Sequence, residues 1–243
     1  MDPLELKPQE IGLFLDVDGT LLDLASRPDA VEVQDGLLDD LSAVERGLGG
    51  ALALVSGRPI AELDRLFAPL RLRASGVHGA EIRHFPYGTT TPLTQHQLPE
   101  TAWDDLLRVL RAFPCTFAEN KGVSFSVHYR EAGIDLERLV AALSAFIEQF
   151  SGTSLELLAG RRVFEIKLTG FDKGTAITRF MAEAPFAGRI PVFIADDPID
   201  WPGFETVLAL RGAAFSVGAM LPGLSGSFAG PGAVRAWLHG LCR

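Results

Sequence analysis

From Ile11 to Val17 the chain runs apolar save for a single aspartate, and the stretch continues as IGLFLDVDGTLLD to Asp23. Apolarity of this kind belongs to a strand buried on both faces of a parallel sheet. Such a strand hands the chain to a loop at its carboxyl end, and here that loop brings two carboxylates, Asp16 and Asp18, then Gly19 and Thr20. A simple turn accounts for a glycine and one aspartate. It does not account for a buried strand delivering both.

The same grammar recurs. Leu37, Leu41, Val44 and Leu48 fall on one helical stripe, and Gly47, Gly49 and Gly50 close that helix. A strand over Ala51 to Val55 then runs into Ser56-Gly57-Arg58, with Pro59 suited to a helix start. Late in the chain, Asp172 is placed to cap a helix that carries Lys173 in its first turn. IPVFIADDPID is a further apolar strand ending in Asp196 and Asp197, AAFSV is another short strand, and GAVRAWLHGL is a closing helix. Strands alternating with helices predict an α/β fold with a Rossmann-type parallel sheet. In such sheets functional loops lie beyond the carboxyl ends of the strands, so those holding Asp16, Asp18 and Ser56 are expected to be neighbours.

The middle of the chain follows another pattern. EIRHFPYGTTTPL reads as two short strands about a Tyr-Gly turn, and GVSFSVHYR alternates apolar Val123, Phe125, Val127 and Tyr129 with Ser124, Ser126 and His128. Leu136, Leu139, Val140, Leu143, Phe146, Ile147 and Phe150 form a helical stripe, and LELLAGRRVFEIKL reads as a hairpin turning near Gly160. Helices on one face of a hairpin-built sheet predict an α+β domain over 83–168, inserted into a core built from 1–82 and 169–243.

Composition bounds the chemistry. The 243 residues suffice for a substantial core, and 47% hydrophobic with 22% charged content is that of a globular chain. A net charge of −9 argues against a nucleic-acid partner. No apolar run reaches membrane-spanning length and the acidic start is unlike a signal peptide, so a cytoplasmic protein without a membrane partner is expected; a monomer is expected as well. Cys115 and Cys242 lack metal-ligand spacing and read as reduced thiols.

Two strands that end in aspartates at one sheet edge repel each other unless a positive charge sits among them. Mg²⁺, which takes carboxylate oxygens together with water and substrate phosphate, is the natural resolution. DxDGT adds further chemistry, since one aspartate can attack phosphorus while its neighbour two residues on handles the leaving-group proton. Ser56 and Lys173 supply a hydroxyl donor and a fixed positive charge for phosphoryl oxygens.

LDVDGTLLD, VSGR, DKG and ADD, in that order, resemble the four motifs of the haloacid dehalogenase (HAD) superfamily of aspartyl phosphotransferases. GVHGAEIR, AENKGVSFSVHYREA, VFEIKLTGFDKG and AEAPFAGRIPVFIADDPID resemble the trehalose-6-phosphate phosphatase family along nearly the whole chain. That resemblance implies an HAD-like core with an inserted cap, or lid, and Mg²⁺-dependent hydrolysis of the sugar phosphate. It assigns Asp16 as nucleophile, Asp18 as general acid and then base, and Ser56 and Lys173 as phosphoryl ligands. Mg²⁺ falls to the Asp16 carboxylate, the Asp18 main-chain carbonyl and Asp196. Sugar contacts fall to Glu119, Lys121 and Glu165.

Glu119 and Lys121 share parity with apolar Val123 and Phe125, so either Gly122 marks a bulge or the strand starts after it. His78, His128, Arg130 and Lys167 read equally as structural residues or as neighbours of the site. The family's fourth motif usually resembles GDDxTDE, whereas this chain has ADDPIDW, with Pro198, Ile199 and Trp201 at altered positions. Two alternatives therefore stand beside the trehalose 6-phosphate reading: a phosphatase for another sugar phosphate, or a catalytically weak sugar-phosphate-binding protein.

Overall fold

The computed structural model describes residues 7–25, 30–94, 97–129 and 133–241; Arg130 and Cys242 lie outside them. The chain begins with β1 (Ile11–Leu15), α1 (Leu37–Gly47), β2 (Leu52–Val55), α2 (Ile60–Leu66), β3 (Arg73–Gly76), β4 (Glu81–Arg83) and β5 (Thr91–Pro92). The middle holds α3 (Glu100–Leu110), β6 (Thr116–Asn120), β7 (Ser124–Tyr129), α4 (Leu136–Glu148), β8 (Leu155–Gly160) and β9 (Val163–Leu168). It closes with α5 (Lys173–Met181), β10 (Ile190–Ala195), α6 (Trp201–Ala209), β11 (Ala213–Val217), β12 (Gly226–Phe228) and α7 (Pro231–Leu241).

These elements form two compact units, Met1–Leu93 with Asp172–Arg243, and Thr94–Phe171. The first holds an eight-stranded sheet in the order β12-β11-β10-β1-β2-β3-β4-β5. Its strands are parallel from β12 to β3, and β4 and β5 add on antiparallel. Every residue of β1, β2 and β11 is buried, as the apolar runs require for strands covered on both faces. β1 is the strand from which the order grows in both directions, with β2 on one side and β10 on the other. That topological switch opens a crevice at its carboxyl end.

The first junction falls at 93/94 rather than 82/83, and the second at 171/172 rather than 168/169. The two strands read from EIRHFPYGTTTPL are present, but they hydrogen-bond onward from β3 and so extend the parallel sheet. Arg83 shows why. Its guanidinium is buried at the end of β4, donates to the Leu72 carbonyl through Nε (2.9 Å) and Nη2 (2.7 Å), and meets Asp64 at 2.8 Å.

The second unit is a four-stranded antiparallel sheet in the order β6-β7-β9-β8. Phe125, Val127, Phe164, Ile166 and Leu168 line one face and share a core with Ala102, Leu106 and Leu110 of α3 and Leu139, Leu143 and Phe146 of α4. Leu136 and Val140, read as part of the apolar stripe of α4, are exposed, so the buried stripe is narrower than the sequence pattern. Ser124 and Ser126, expected on a half-exposed face, are buried. Among the described residues no helix is long and apolar enough to cross a membrane.

Removing one partner of a buried ion pair leaves the other charge stranded. Arg83→Ala is therefore expected to lower stability by about 3 kcal/mol in urea unfolding. A loss below about 1 kcal/mol would show that this cluster does not hold β4 to the sheet.

Candidate active site

The carboxyl end of β1 passes directly into Asp16, whose main-chain N–H donates to the Ile194 carbonyl of β10 at 3.0 Å. The sheet thus grips the first aspartate by its backbone. Its side chain is buried, with Oδ2 accepting from the Thr20 hydroxyl at 3.2 Å and Oδ1 accepting from Lys173 Nζ at 2.6 Å. The same ammonium lies 2.5 Å from Asp200 Oδ1. Lys173 stands at the first position of α5, where Asp172 and Thr175 form a reciprocal capping box that fixes the helix start. Gly174 completes the placement, because a Cβ there would lie 2.5 Å from the Pro202 carbonyl oxygen and hold α5 away from α6.

Asp16, Asp196 and Asp200 offer carboxylate oxygens that all lie within 4.8 Å of one another, and all three residues are buried. The three carboxylates converge with the Lys173 ammonium in a buried cluster. Burial drives the Asp200 carboxyl up to about 7, against the pull of Lys173 and with the nearby Asp16 charge adding to the rise. Burial likewise raises Asp16 above the usual carboxylate range although Lys173 opposes it. For Lys173 burial acts downward, but the Asp16 and Asp200 carboxylates outweigh it and hold the ammonium charged.

The donor set fits a hard divalent cation, being all oxygen and convergent. Gly19 provides a second sign of fit. Its φ is +75°, and a Cβ would fall 2.2 Å from Asp196 Oδ2, so only glycine lets the DxDGT loop close over that carboxylate.

Asp18 is placed differently from Asp16. Both of its oxygens are held by Arg58, Nε to Oδ2 at 2.6 Å and Nη2 to Oδ1 at 2.7 Å. Its carboxylate therefore engages a guanidinium, and any share Asp18 takes in a metal site belongs to its main chain. Ser56 is buried at the end of β2, and its hydroxyl oxygen accepts from the Arg58 N–H at 3.1 Å. The parallel register sets the ends of β1, β2 and β10 side by side, which brings Asp16, Asp18, Ser56 and Asp196 to one edge, with Lys173 bonded into it.

ADDPIDW departs less than its letters suggest. Pro198 opens a short 3-10 turn, Pro198–Asp200, where its missing N–H is not needed. Asp197, paired with Asp196 in the sequence reading, instead accepts from the Ile199 N–H at 3.0 Å, while Asp200 Oδ2 accepts from the Asp197 N–H at 3.2 Å. That turn carries Asp200 inward, three residues beyond where the aspartate pair drew attention. Trp201 starts α6 exposed, its indole N–H donating to Glu205 at 2.7 Å.

In the inserted unit, Glu119, Ser126 and Glu165 stand opposite one another across β6, β7 and β9. They share the sheet face turned away from α3 and α4. Lys121 lies just past β6 and β7 begins at Ser124, so Lys121, Gly122 and Val123 form the turn and the strand does start after Gly122. Lys121 Nζ reaches Glu165 Oε1 at 2.9 Å, and Ser126 donates to the same oxygen at 2.6 Å. Glu119 Oε2 meets His128 Nε2 at 2.7 Å, a bond that holds the Glu119 carboxyl below the usual range. The His128 ring is itself stacked on Phe117 at 4.5 Å. Lys167 lies in the next register row, bonded to Glu156 at 2.5 Å and to the Phe171 carbonyl.

The profile of the trehalose-phosphatase family matches residues 14–220. The trehalose-6-phosphate phosphatase of Escherichia coli (strain K12) is 36% identical over 241 residues, covering 98% of this chain and 90% of that one. The chain belongs to the trehalose-phosphatase family. A Sinorhizobium fredii protein named "Probable trehalose-phosphate phosphatase" is 39% identical over 215 residues, covering 86% of this chain and 78% of its own.

Among solved structures, the C-terminal domain of C. albicans trehalose-6-phosphate phosphatase superposes with a TM-score of 0.77 at 18% identity, covering 96% of this chain and 93% of that one. A HAD-superfamily phosphatase from Bacteroides thetaiotaomicron gives 0.61 at 14% identity, covering 94% and 92%. These two show the fold, an HAD-type parallel-sheet core with an inserted cap.

Within this family fold, sequence reasoning left Arg58, Asp200 and His128 without roles. SGR, IDW and VHYR carried them, but only contacts across the fold show what each touches. Gly19→Ala is expected to lower kcat/KM by about 100-fold, the scale of an ångström-sized displacement at a reacting centre. Phosphate-release kinetics on the variant would check this, and near-normal turnover would mean the loop does not close over Asp196.

Proposed function

We propose that the chain is a cytoplasmic, Mg²⁺-dependent phosphatase that hydrolyses trehalose 6-phosphate to trehalose and phosphate. The observation that carries this reading is the buried Asp16 carboxylate at the end of β1, tied at 2.6 Å to Lys173 and gathered with Asp196 and Asp200. The family profile supports the substrate class.

Asp16 attacks phosphorus, forming an oxygen–phosphorus bond as the bond from phosphorus to the sugar oxygen breaks. Asp18 gives its proton to that departing oxygen. It then takes a proton from the water that attacks the aspartyl-phosphate, which releases inorganic phosphate and restores Asp16. Because Arg58 holds both Asp18 oxygens, the acid step requires Asp18 to give up at least one of these contacts. Ser56 and Lys173 hold phosphoryl oxygens, and Lys173 also keeps Asp16 oriented. The Asp16 carboxylate, the Asp18 main-chain carbonyl and Asp196 would hold Mg²⁺, which when bound would supply positive charge for the phosphoryl oxygens.

Sugar recognition falls to Glu119, Lys121 and Glu165. Carboxylates and an ammonium suit the many hydroxyls of a disaccharide. Their mutual bonds keep these groups satisfied until sugar hydroxyls replace them. The reading of a disabled sugar-phosphate binder is disfavoured by the retained Asp200–Lys173 contact of 2.5 Å inside the divergent motif.

Phosphate release from trehalose 6-phosphate, sucrose 6-phosphate and glucose 6-phosphate tests the proposal. Turnover is expected to favour trehalose 6-phosphate, to stop with chelator, and to fall at least about 10⁴-fold in Asp16→Asn. Preference for another sugar would discard the cap assignment and keep the core chemistry. No turnover on any of them would sink the phosphatase reading. Glu165→Gln should raise KM for trehalose 6-phosphate about 10-fold, and more than for glucose 6-phosphate, as loss of a charged hydrogen bond to sugar predicts. An unchanged sugar preference would remove Glu165 from sugar recognition.

A further inference from the structure

Between β3 and β4 the chain makes a turn of unusual conformation. Three successive residues have positive φ: Val77 at 47°, His78 at 54° and Gly79 at 101°. Only the last is a glycine. A β-branched valine in the left-handed region is an outlier, and such backbone persists only where its surroundings over-determine it.

Those surroundings are the two segments that carry the phosphoryl-gripping groups. On one side, the Val77 N–H donates to the Arg58 carbonyl and the His78 N–H to the Ser56 carbonyl, each at 3.1 Å. The His78 ring is buried against Gly57, so closely that a Cβ on Gly57 would fall 2.6 Å from Nε2. On the other side, Gly79 abuts the residue that caps α5, and a Cβ there would lie 2.5 Å from the Asp172 carbonyl oxygen. The turn is therefore a wedge. It holds the loop of Ser56 and Arg58 on one flank and the capped start of the Lys173 helix on the other.

We propose that His78 is a positioning residue for phosphoryl binding, acting through Gly57 on Ser56 and Arg58 and through its strained turn on the Lys173 helix. The inference rests on the reading of Ser56 and Lys173 as phosphoryl ligands. The backbone of the turn sets the height of the loop, and the imidazole fills the space that Gly57 leaves open. Phosphate affinity then depends on a ring and a missing side chain that fit each other, whereas sugar preference does not.

The test is a double-mutant cycle on the full chain with Mg²⁺, read by calorimetric binding of inorganic phosphate and by steady-state kinetics. Gly57→Ala drives a methyl into the ring and is expected to weaken phosphate binding about 10-fold and lower kcat/KM about 100-fold, as displacement of a positioned group does. His78→Ala is expected to weaken phosphate binding by a similar factor, with the ratio of KM values for trehalose 6-phosphate and glucose 6-phosphate unchanged. In the double variant the added methyl enters the space vacated by the ring, so Gly57→Ala should cost nothing further in the His78→Ala background.

Additive losses, or phosphate affinity unmoved in both single variants, would overturn the proposal. Should His78→Ala not fold, His78→Asn, which keeps a residue suited to the left-handed region, carries the same comparison. Wild-type protein that binds phosphate but leaves trehalose 6-phosphate intact would sink only the function reading. Wild-type protein that binds no phosphate would sink both.

Discussion

The Lys173 ammonium, 2.6 Å from Asp16 and 2.5 Å from Asp200, is the contact on which the site depends. Burying a carboxylate is costly unless a charge partner or hydrogen bonds compensate it, and two buried carboxylates share this one cation. Burial nevertheless raises both carboxyls, Asp200 to about 7, against the pull of Lys173. On the proposed reading, a hard cation would bring the positive charge that these carboxylates and an incoming phosphoryl group both require.

The fold exists around that contact in a definite way. β1 is the switch strand of the sheet, bonded to β2 and β10 in parallel register, so three loops emerge together. α5 then has to bring a lysine to the same edge from a distant part of the chain. It does so with a capped first turn and a glycine that permits close packing on α6. The rigidity of the sheet and the capping of the helix supply the precision that a charge cluster of this density requires.

In the inserted unit the division of labour is between two faces of one antiparallel sheet. The apolar face meets α3 and α4 and provides the unit's core. The other carries Glu119, Ser126, Glu165 and Lys167, with Lys121 at its edge, knit into pairs that satisfy one another. Such pairing gives buried polar side chains hydrogen-bond partners and orients them in advance.

Much of this was legible in the residues themselves. Continuous apolar runs specified β1, β2 and β10 because strands buried on both faces tolerate little else, and Asp172 announced the start of α5 because few residues cap a helix. Alternation through Ser124, Ser126 and His128 specified a two-faced sheet. Other features depend on partners far away in sequence. Arg83 was placed at the start of the insert, but the Leu72 carbonyl and Asp64 close around it and tie β4 to the parallel sheet. Asp200 looked secondary to the pair Asp196-Asp197 until a 3-10 turn rotated it toward Lys173 and left Asp197 as a cap. Asp18 was read as the acid and base of DxDGT, and only packing showed that Arg58, forty residues on, holds both its oxygens. Local pattern decides which elements form, because period and capping act over a few residues. Which charges face each other is decided only when distant segments pack, because Coulomb and hydrogen-bond energies depend on distances that no local pattern contains.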